Sequence, residues 1–86
     1  MHYTFYPQGV CSRKIELDIE NGRVHNIHYL GGCNGNLKAL GALAEGMTVE
    51  EVEKRISGIR CGMKNTSCGD QLAKALREAY EAEQTN

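Results

Sequence analysis

Residues 12–24 read SRKIELDIENGRV, and this stretch decides the class of fold. Aliphatic residues alternate with charged ones along its first half, which is typical of a strand with one buried face and one face in water. Asn21-Gly22 follows, and both positions readily adopt the positive φ that a two-residue hairpin turn requires. The stretch therefore predicts an antiparallel hairpin whose strands cover residues 12–19 and 23–30.

In the second strand of this hairpin the alternation of apolar and polar residues is interrupted. Val24 and Ile27 can share the buried face only if a β-bulge or a slip in register lies between them. His25 and His28 are also three residues apart, so a regular strand points them to opposite faces. We therefore expect these histidines to be solvated or hydrogen-bonded, and not to be ligands of one metal site.

Helical patterns follow the hairpin, and a short strand at residues 2–6 precedes it. The first helix is predicted from Asn34 or Asn36 to about Glu45, and its apolar face is formed by Leu37, Leu40, Leu43 and Ala44. Thr48 and Glu51 form a capping box for the second helix, and Ser67 with Asp70 gives a similar start signal for a last helix that runs to about Glu83. The predicted class is α+β: a small antiparallel sheet of about three strands, then three helices packed on one face.

Length and composition limit the possible functions. The 86 residues fit a single domain, residues 1–86. Ten Lys and Arg residues balance eleven Asp and Glu residues, so no basic face stands out in the composition, and we expect no nucleic-acid partner. No apolar run approaches the ~20 residues of a membrane span, and no secretory signal is seen, so the expected location is cytoplasmic without membrane association.

Four cysteines fall at the boundaries of the predicted elements. In a reducing compartment such cysteines are typical of metal ligands or reactive thiols, and the start of a helix favours the thiolate form at Cys68. Four thiolates suit a zinc ion or an iron–sulfur cluster. Two alternatives stay open: two disulfides if the protein were secreted, or two ligating or reactive cysteines beside two inert ones. The predicted metal ligands are Cys11, Cys33, Cys61 and Cys68.

The glycine-rich stretch 31–36 reads GGCNGN and opens the first helix. It lacks the Lys and Ser/Thr of a phosphate-binding P-loop, so we interpret it as a loop that shapes the site around Cys33. A small-molecule ligand beside this loop stays open. Its candidate cofactor-binding residues are Gly32, Asn34, Gly35 and Asn36.

Five motifs together resemble the TSCPD-domain family, in particular its stand-alone four-cysteine members. The resemblance covers about residues 3–80, with Gly69 where the name-giving motif has proline. The motifs are GVCS at 9–12, GGCNGNL at 31–37, GM at 46–47, IRCG at 59–62 and TSCGDQLA at 66–73.

This resemblance implies a link to ribonucleotide reduction. The family is similar to a C-terminal cysteine-rich module of adenosylcobalamin-dependent ribonucleotide reductases, and stand-alone members are often labelled as reductases for that reason. A chain of this length cannot house the large barrel, radical cysteine and cofactor sites of such an enzyme. The resemblance therefore implies a supporting role beside a protein partner.

A second, looser resemblance is to iron–sulfur cluster scaffold proteins. Cys11, Cys33 and Cys68 match their layout of a cysteine before a hairpin, one after it, and one opening the last helix. The acidic ligand of that family near its second cysteine is replaced here by residues 34–36, so the resemblance implies a scaffold-like fold more than cluster assembly.

Three functional hypotheses result. The first is an accessory metal-binding domain that holds zinc or an iron–sulfur cluster and is not a complete enzyme. The second is a dithiol redox accessory of ribonucleotide reduction, with Cys61 and Cys68 as the exchanging pair. The third is an interaction module in which the cysteines are incidental.

Overall fold

The computed structural model describes residues 1–10, 12–32, 34–60 and 62–85, with only the backbone of Asn34 and Thr85. Within these residues the chain forms a three-stranded antiparallel sheet and three helices, which confirms the predicted α+β class. The strands are β1 (His2–Phe5), β2 (Ser12–Glu20) and β3 (Arg23–Gly31), and the helices are α1 (Asn34–Ala44), α2 (Val49–Ile56) and α3 (Cys68–Thr85).

The hairpin of β2 and β3 forms as predicted around Asn21-Gly22. Asn21 has φ 53° and Gly22 has φ 76°, the pair of positive values that matches the twist of the flanking strands. A carbon at the Cβ position of Gly22 would also lie 3.2 Å from the ring of Tyr80. Glycine is therefore favoured at residue 22 by its backbone conformation and by the close packing of Tyr80.

The predicted irregularity in β3 is a β-bulge at Asn26, which has φ 55°. Asp18 pairs with His25 and Glu16 pairs with His28, so the ladder gains one residue on β3 between these pairs. Asp18 and Glu16 share one face of β2. The two histidines consequently lie on the same outer face, and the expectation that they point to opposite faces was wrong because the bulge shifts the alternation by one residue.

The core lies between the inner face of the sheet and the helices. Ile15, Leu17 and Ile19 are fully buried against Leu72 and Leu76 of α3. Ala44 of α1 and Val52 of α2 belong to the same buried cluster, so all three helices cover one face of the sheet, as predicted. Their packing leaves the charged face of β2 toward solvent.

The predicted apolar face of α1 needs one correction. Leu37 and Ala44 are buried and Leu40 packs against the core, but Leu43 is 76% exposed. Leu43 follows Leu40 by three residues and lies at the edge of the stripe, where it lines an open cavity beside Val52 of α2.

The local signals that delimit the helices are confirmed. Thr48 and Glu51 form the complete capping box of α2, and Glu51 accepts a hydrogen bond from the Thr48 backbone N–H at 3.2 Å. Gly46, with φ 79°, ends α1, and its N–H donates to the Val24 carbonyl at 2.7 Å. Among the described residues, none of the helices combines the length and apolar character needed to cross a membrane.

Candidate functional site

The start of α3 places Cys68 at one end of the sheet. Ser67 caps the helix, because its Oγ accepts a hydrogen bond from the Asp70 N–H at 3.0 Å. Cys68 lies in the first turn and is half-buried, and its Sγ lies 3.5 Å from the Oγ of the buried Ser12. Ser12 directly follows Cys11, so the residue beside one predicted ligand contacts another.

The segments on both sides of Cys11 are attached to the same helix start. The Gln8 backbone N–H donates to Oε1 of the buried Gln71 at 3.1 Å, and Nε2 of Gln71 donates to the hydroxyl of Thr66 at 3.1 Å. Ser12, on the other side, pairs with Gly31 of β3, two residues before Cys33. Chain segments next to two predicted ligands therefore meet at the first turns of α3.

Asp70 holds the segment on the other side of α3. Its carboxylate accepts hydrogen bonds from the Gly58 N–H at 2.7 Å and from the Thr66 hydroxyl at 2.5 Å, and Lys74 Nζ lies 3.9 Å away. The Thr66 hydroxyl first, and then the Gly58 amide, hold the pKa of Asp70 below its usual value. Gly58 and Thr66 flank the loop that contains Cys61, so this carboxylate fixes both sides of that loop to α3.

Tyr29 lies on the inner face of β3, opposite Ile15. Its hydroxyl oxygen is inaccessible to solvent and has no hydrogen-bond partner in the described part of the chain. Burial raises the pKa of Tyr29 above its usual range, and the Cys68 sulfur adds to this effect. Tyr29 lies two residues before Gly31, which pairs with the same Ser12 that contacts Cys68. Within the described residues this hydroxyl is an unsatisfied buried donor.

The predicted ligands Cys11, Cys33 and Cys61 lie outside the described residues. Within the described ranges, no group of three or more His, Cys, Asp or Glu side chains is placed to hold a metal ion. Of the four predicted ligands, Cys68 alone lies within these ranges, so the four-cysteine site stays a prediction.

The candidate cofactor-binding residues occupy the turn from β3 into α1. Gly32 has φ 83°, Asn34 begins α1, and Gly35 and Asn36 are exposed in its first turn. A cavity of about 200 Å³ opens near this turn, and it is lined by Ile27, His28, Tyr29, Leu37 and Lys38. A ligand at these glycine and asparagine residues stays a prediction.

The described histidines have structural partners on the outer face of the sheet. His2 bridges two carboxylates of β2, with Nδ1 2.9 Å from Asp18 and Nε2 3.3 Å from Glu16. His25 Nδ1 lies 2.6 Å from Glu45, whose other oxygen accepts from the N–H of the bulge residue Asn26 at 2.9 Å. These contacts fasten β1 and the bulge. His25 is hydrogen-bonded and His28 is exposed, in agreement with the prediction that these two are solvated or hydrogen-bonded.

Sequence reasoning missed three residues of this site: Ser12, Tyr29 and Asp70 as a loop anchor. Ser12 was recognised only as the start of a strand, and Asp70 only as part of a helix start signal. The inward alternation of β3 could have found Tyr29, but the bulge made that alternation ambiguous.

The fold and this site define a class: a small α+β domain in which segments next to its cysteines are tied to the start of the last helix. The family model of the TSCPD domain matches residues 1–80, and the chain belongs to this family. Comparison with curated proteins and with solved structures gave no match.

Proposed function

We propose that the chain is an accessory metal-binding domain that holds a zinc ion or an iron–sulfur cluster through Cys11, Cys33, Cys61 and Cys68. The observation that carries this proposal is the attachment of separate cysteine-bearing segments to the first turns of α3. Ser12 contacts Cys68 at 3.5 Å, and Asp70 fixes Gly58 and Thr66 on either side of the Cys61 loop. Such attachment is what a site built from distant cysteines requires.

The chemistry of the surroundings fits thiolate ligands. Thiolates bound to a metal accept hydrogen bonds from nearby donors, and such outer contacts orient the ligands. Tyr29 offers a buried hydroxyl near Cys68, and Ser12 offers a second one in contact with its sulfur. A bound metal would supply folding free energy, roughly 10–16 kcal/mol in zinc-finger peptides.

Anaerobic purification followed by elemental analysis tests the proposal. We expect close to one equivalent of zinc or of a cluster, a visible absorption spectrum that separates the two, and a large fall in melting temperature with chelator. Cys68→Ser should lower the metal content, whereas Ser57→Ala, at the exposed end of α2, should retain it. Absence of metal together with unchanged melting in chelator would rule the proposal out.

A dithiol role in ribonucleotide reduction is the second candidate, and the half-exposed position of Cys68 in the first turn of α3 favours it. In this role the thiols of Cys61 and Cys68 form a disulfide, and two electrons and two protons pass to a disulfide of a partner protein. Faster alkylation of Cys68 than of the other thiols in metal-free protein would support it. Uniformly slow alkylation would count against it.

A further inference from the structure

The two ends of the described structure carry charges of opposite sign. We define the cysteine end as residues 6–10, 12–14, 29–32, 34–38, 57–60 and 62–70, where β2 and α3 begin and β3 ends. Asp70 is its single acidic residue among those described, and that carboxylate is buried and occupied by Gly58 and Thr66. Its basic residues are Arg13, Lys14, Lys38, Arg60 and Lys64, of which Lys14 lies 3.9 Å from the Glu16 carboxylate just outside this end.

The opposite end is acidic. We define the hairpin end as residues 18–26, 43–51 and 79–85, and Arg23 is its single Lys or Arg. A nine-residue strand spans about 26 Å from one end to the other, well beyond the Debye length of about 8 Å at physiological salt. The electrostatic field at each end is therefore set by the charges of that end. The acidic residues of the hairpin end are Asp18, Glu20, Glu45, Glu50, Glu51, Glu81 and Glu83.

Exposed apolar side chains are concentrated at the cysteine end. Of the large hydrophobic residues that are at least half exposed in the described chain, Leu43 alone lies at the hairpin end. The others are Tyr6, Leu30, Ile59 and Met63. Basic and apolar side chains are thus available together on the segments that flank the cysteines.

We propose that the cysteine end is a docking surface for an acidic protein partner that carries apolar side chains among its carboxylates. Charge complementarity steers such a partner, and the apolar side chains supply area that becomes buried on contact. A nucleic acid would neutralise the basic residues but offers little to match Met63 and Ile59. A second copy would offer an acidic hairpin end with only Leu43 as an exposed large apolar residue. The inference goes beyond metal binding and holds for the metal-free protein as well.

Fluorescence anisotropy with two labelled acidic peptides tests the proposal. Both peptides carry the same number of glutamates, interrupted by leucine in one and by serine in the other. We expect the leucine peptide to bind more tightly, and its binding to weaken as salt is raised to about 0.15 M. Met63→Ser should reduce the difference between the two peptides.

A second double variant, outside the cysteine end, supplies the matched control. The double variant Arg60→Glu, Lys64→Glu should weaken binding about tenfold or more, because it replaces attraction with repulsion at two positions. Lys54→Glu, Arg55→Glu makes the same change in net charge in the last turn of α2, next to the cysteine end but outside it, and should have a smaller effect. Circular dichroism of each variant checks that the fold is retained.

Three results would overturn the proposal. Equal loss of binding in both double variants would show attraction by net charge alone. Tighter binding of single-stranded DNA than of the leucine peptide would identify a nucleic-acid surface instead. Self-association in sedimentation experiments that disappears in Glu50→Lys would assign the surface to a second copy of the chain.

Discussion

Ser12 at the start of β2 and Cys68 at the start of α3 are 56 residues apart in sequence, yet their Oγ and Sγ atoms lie 3.5 Å apart. This contact joins the first long strand to the last helix at the end where the cysteine-bearing segments meet. The sheet and the helix layer therefore position the candidate site jointly.

Tyr29→Phe should stabilise the metal-free protein but weaken its binding of metal. In the metal-free state the hydroxyl is buried without a partner in the described chain, so its removal should raise the free energy of unfolding by about 1 kcal/mol. In the loaded state the same change should lower metal affinity, because a donor near Cys68 is lost. Denaturant unfolding and competition with a chromogenic chelator measure the two effects.

The matched control is Tyr3→Phe, whose exposed hydroxyl donates to Glu78 at 2.9 Å. It should leave metal affinity unchanged. Unaltered metal retention in Tyr29→Phe would remove Tyr29 from the site.

Asp70→Asn should release the loop between α2 and α3. The amide keeps one acceptor oxygen but loses the charge that strengthens the bonds from Gly58 and Thr66, so we expect a cost of about 2 kcal/mol in unfolding free energy. Because the pKa of Asp70 is lowered in the folded state, its contribution is present above the unfolded value near 3.8 and is lost as pH falls through the folded value. Unfolding curves from neutral to acidic pH should therefore fall less steeply in the variant than in the wild type. An identical acid dependence in both proteins would contradict this role.

The bridge from His2 to Asp18 and Glu16 makes the attachment of β1 depend on pH. The hydrogen bond to Asp18, followed by that to Glu16, raises the pKa of His2 above 6.5. Its contribution to stability is therefore complete below pH 6.5 and is lost as pH rises through the folded pKa. After division by the intrinsic, base-catalysed exchange rate, the protection of the β1 amides should fall at mildly alkaline pH, and His2→Ala should abolish this fall. His28→Ala, on the same face, is the control and should retain it.

Two glycines should respond to alanine in opposite ways. Gly69 lies in the first turn of α3, and an added Cβ would lie 3.7 Å from Ile56 and Ser67, an ordinary contact. Gly69→Ala should raise the unfolding free energy by about 0.5–1 kcal/mol, since alanine favours the helix. Gly46→Ala meets open space but must adopt φ 79°, so it should cost about 1–2 kcal/mol. Thermal melts compare the two, and stabilisation by both would contradict the explanation based on φ.

Local interactions explain which features could be predicted from the sequence. The Asn21-Gly22 turn and the capping box of Thr48 and Glu51 each depend on residues within a few positions of one another. The sequence alone determined these features because their hydrogen bonds and φ values are satisfied before distant segments meet. It likewise determined the α+β order, through the change from two-residue to helical periodicity.

Only the tertiary structure decided which distant residues share a surface. The bulge at Asn26 placed His25 and His28 on one face, packing left Leu43 outside the core, and burial left the Tyr29 hydroxyl near Cys68. The separation of basic and acidic ends is likewise invisible in a net charge of −1. Each outcome depends on which strand pairs with which and where α3 crosses the sheet, and these are properties of contacts between residues far apart in the chain.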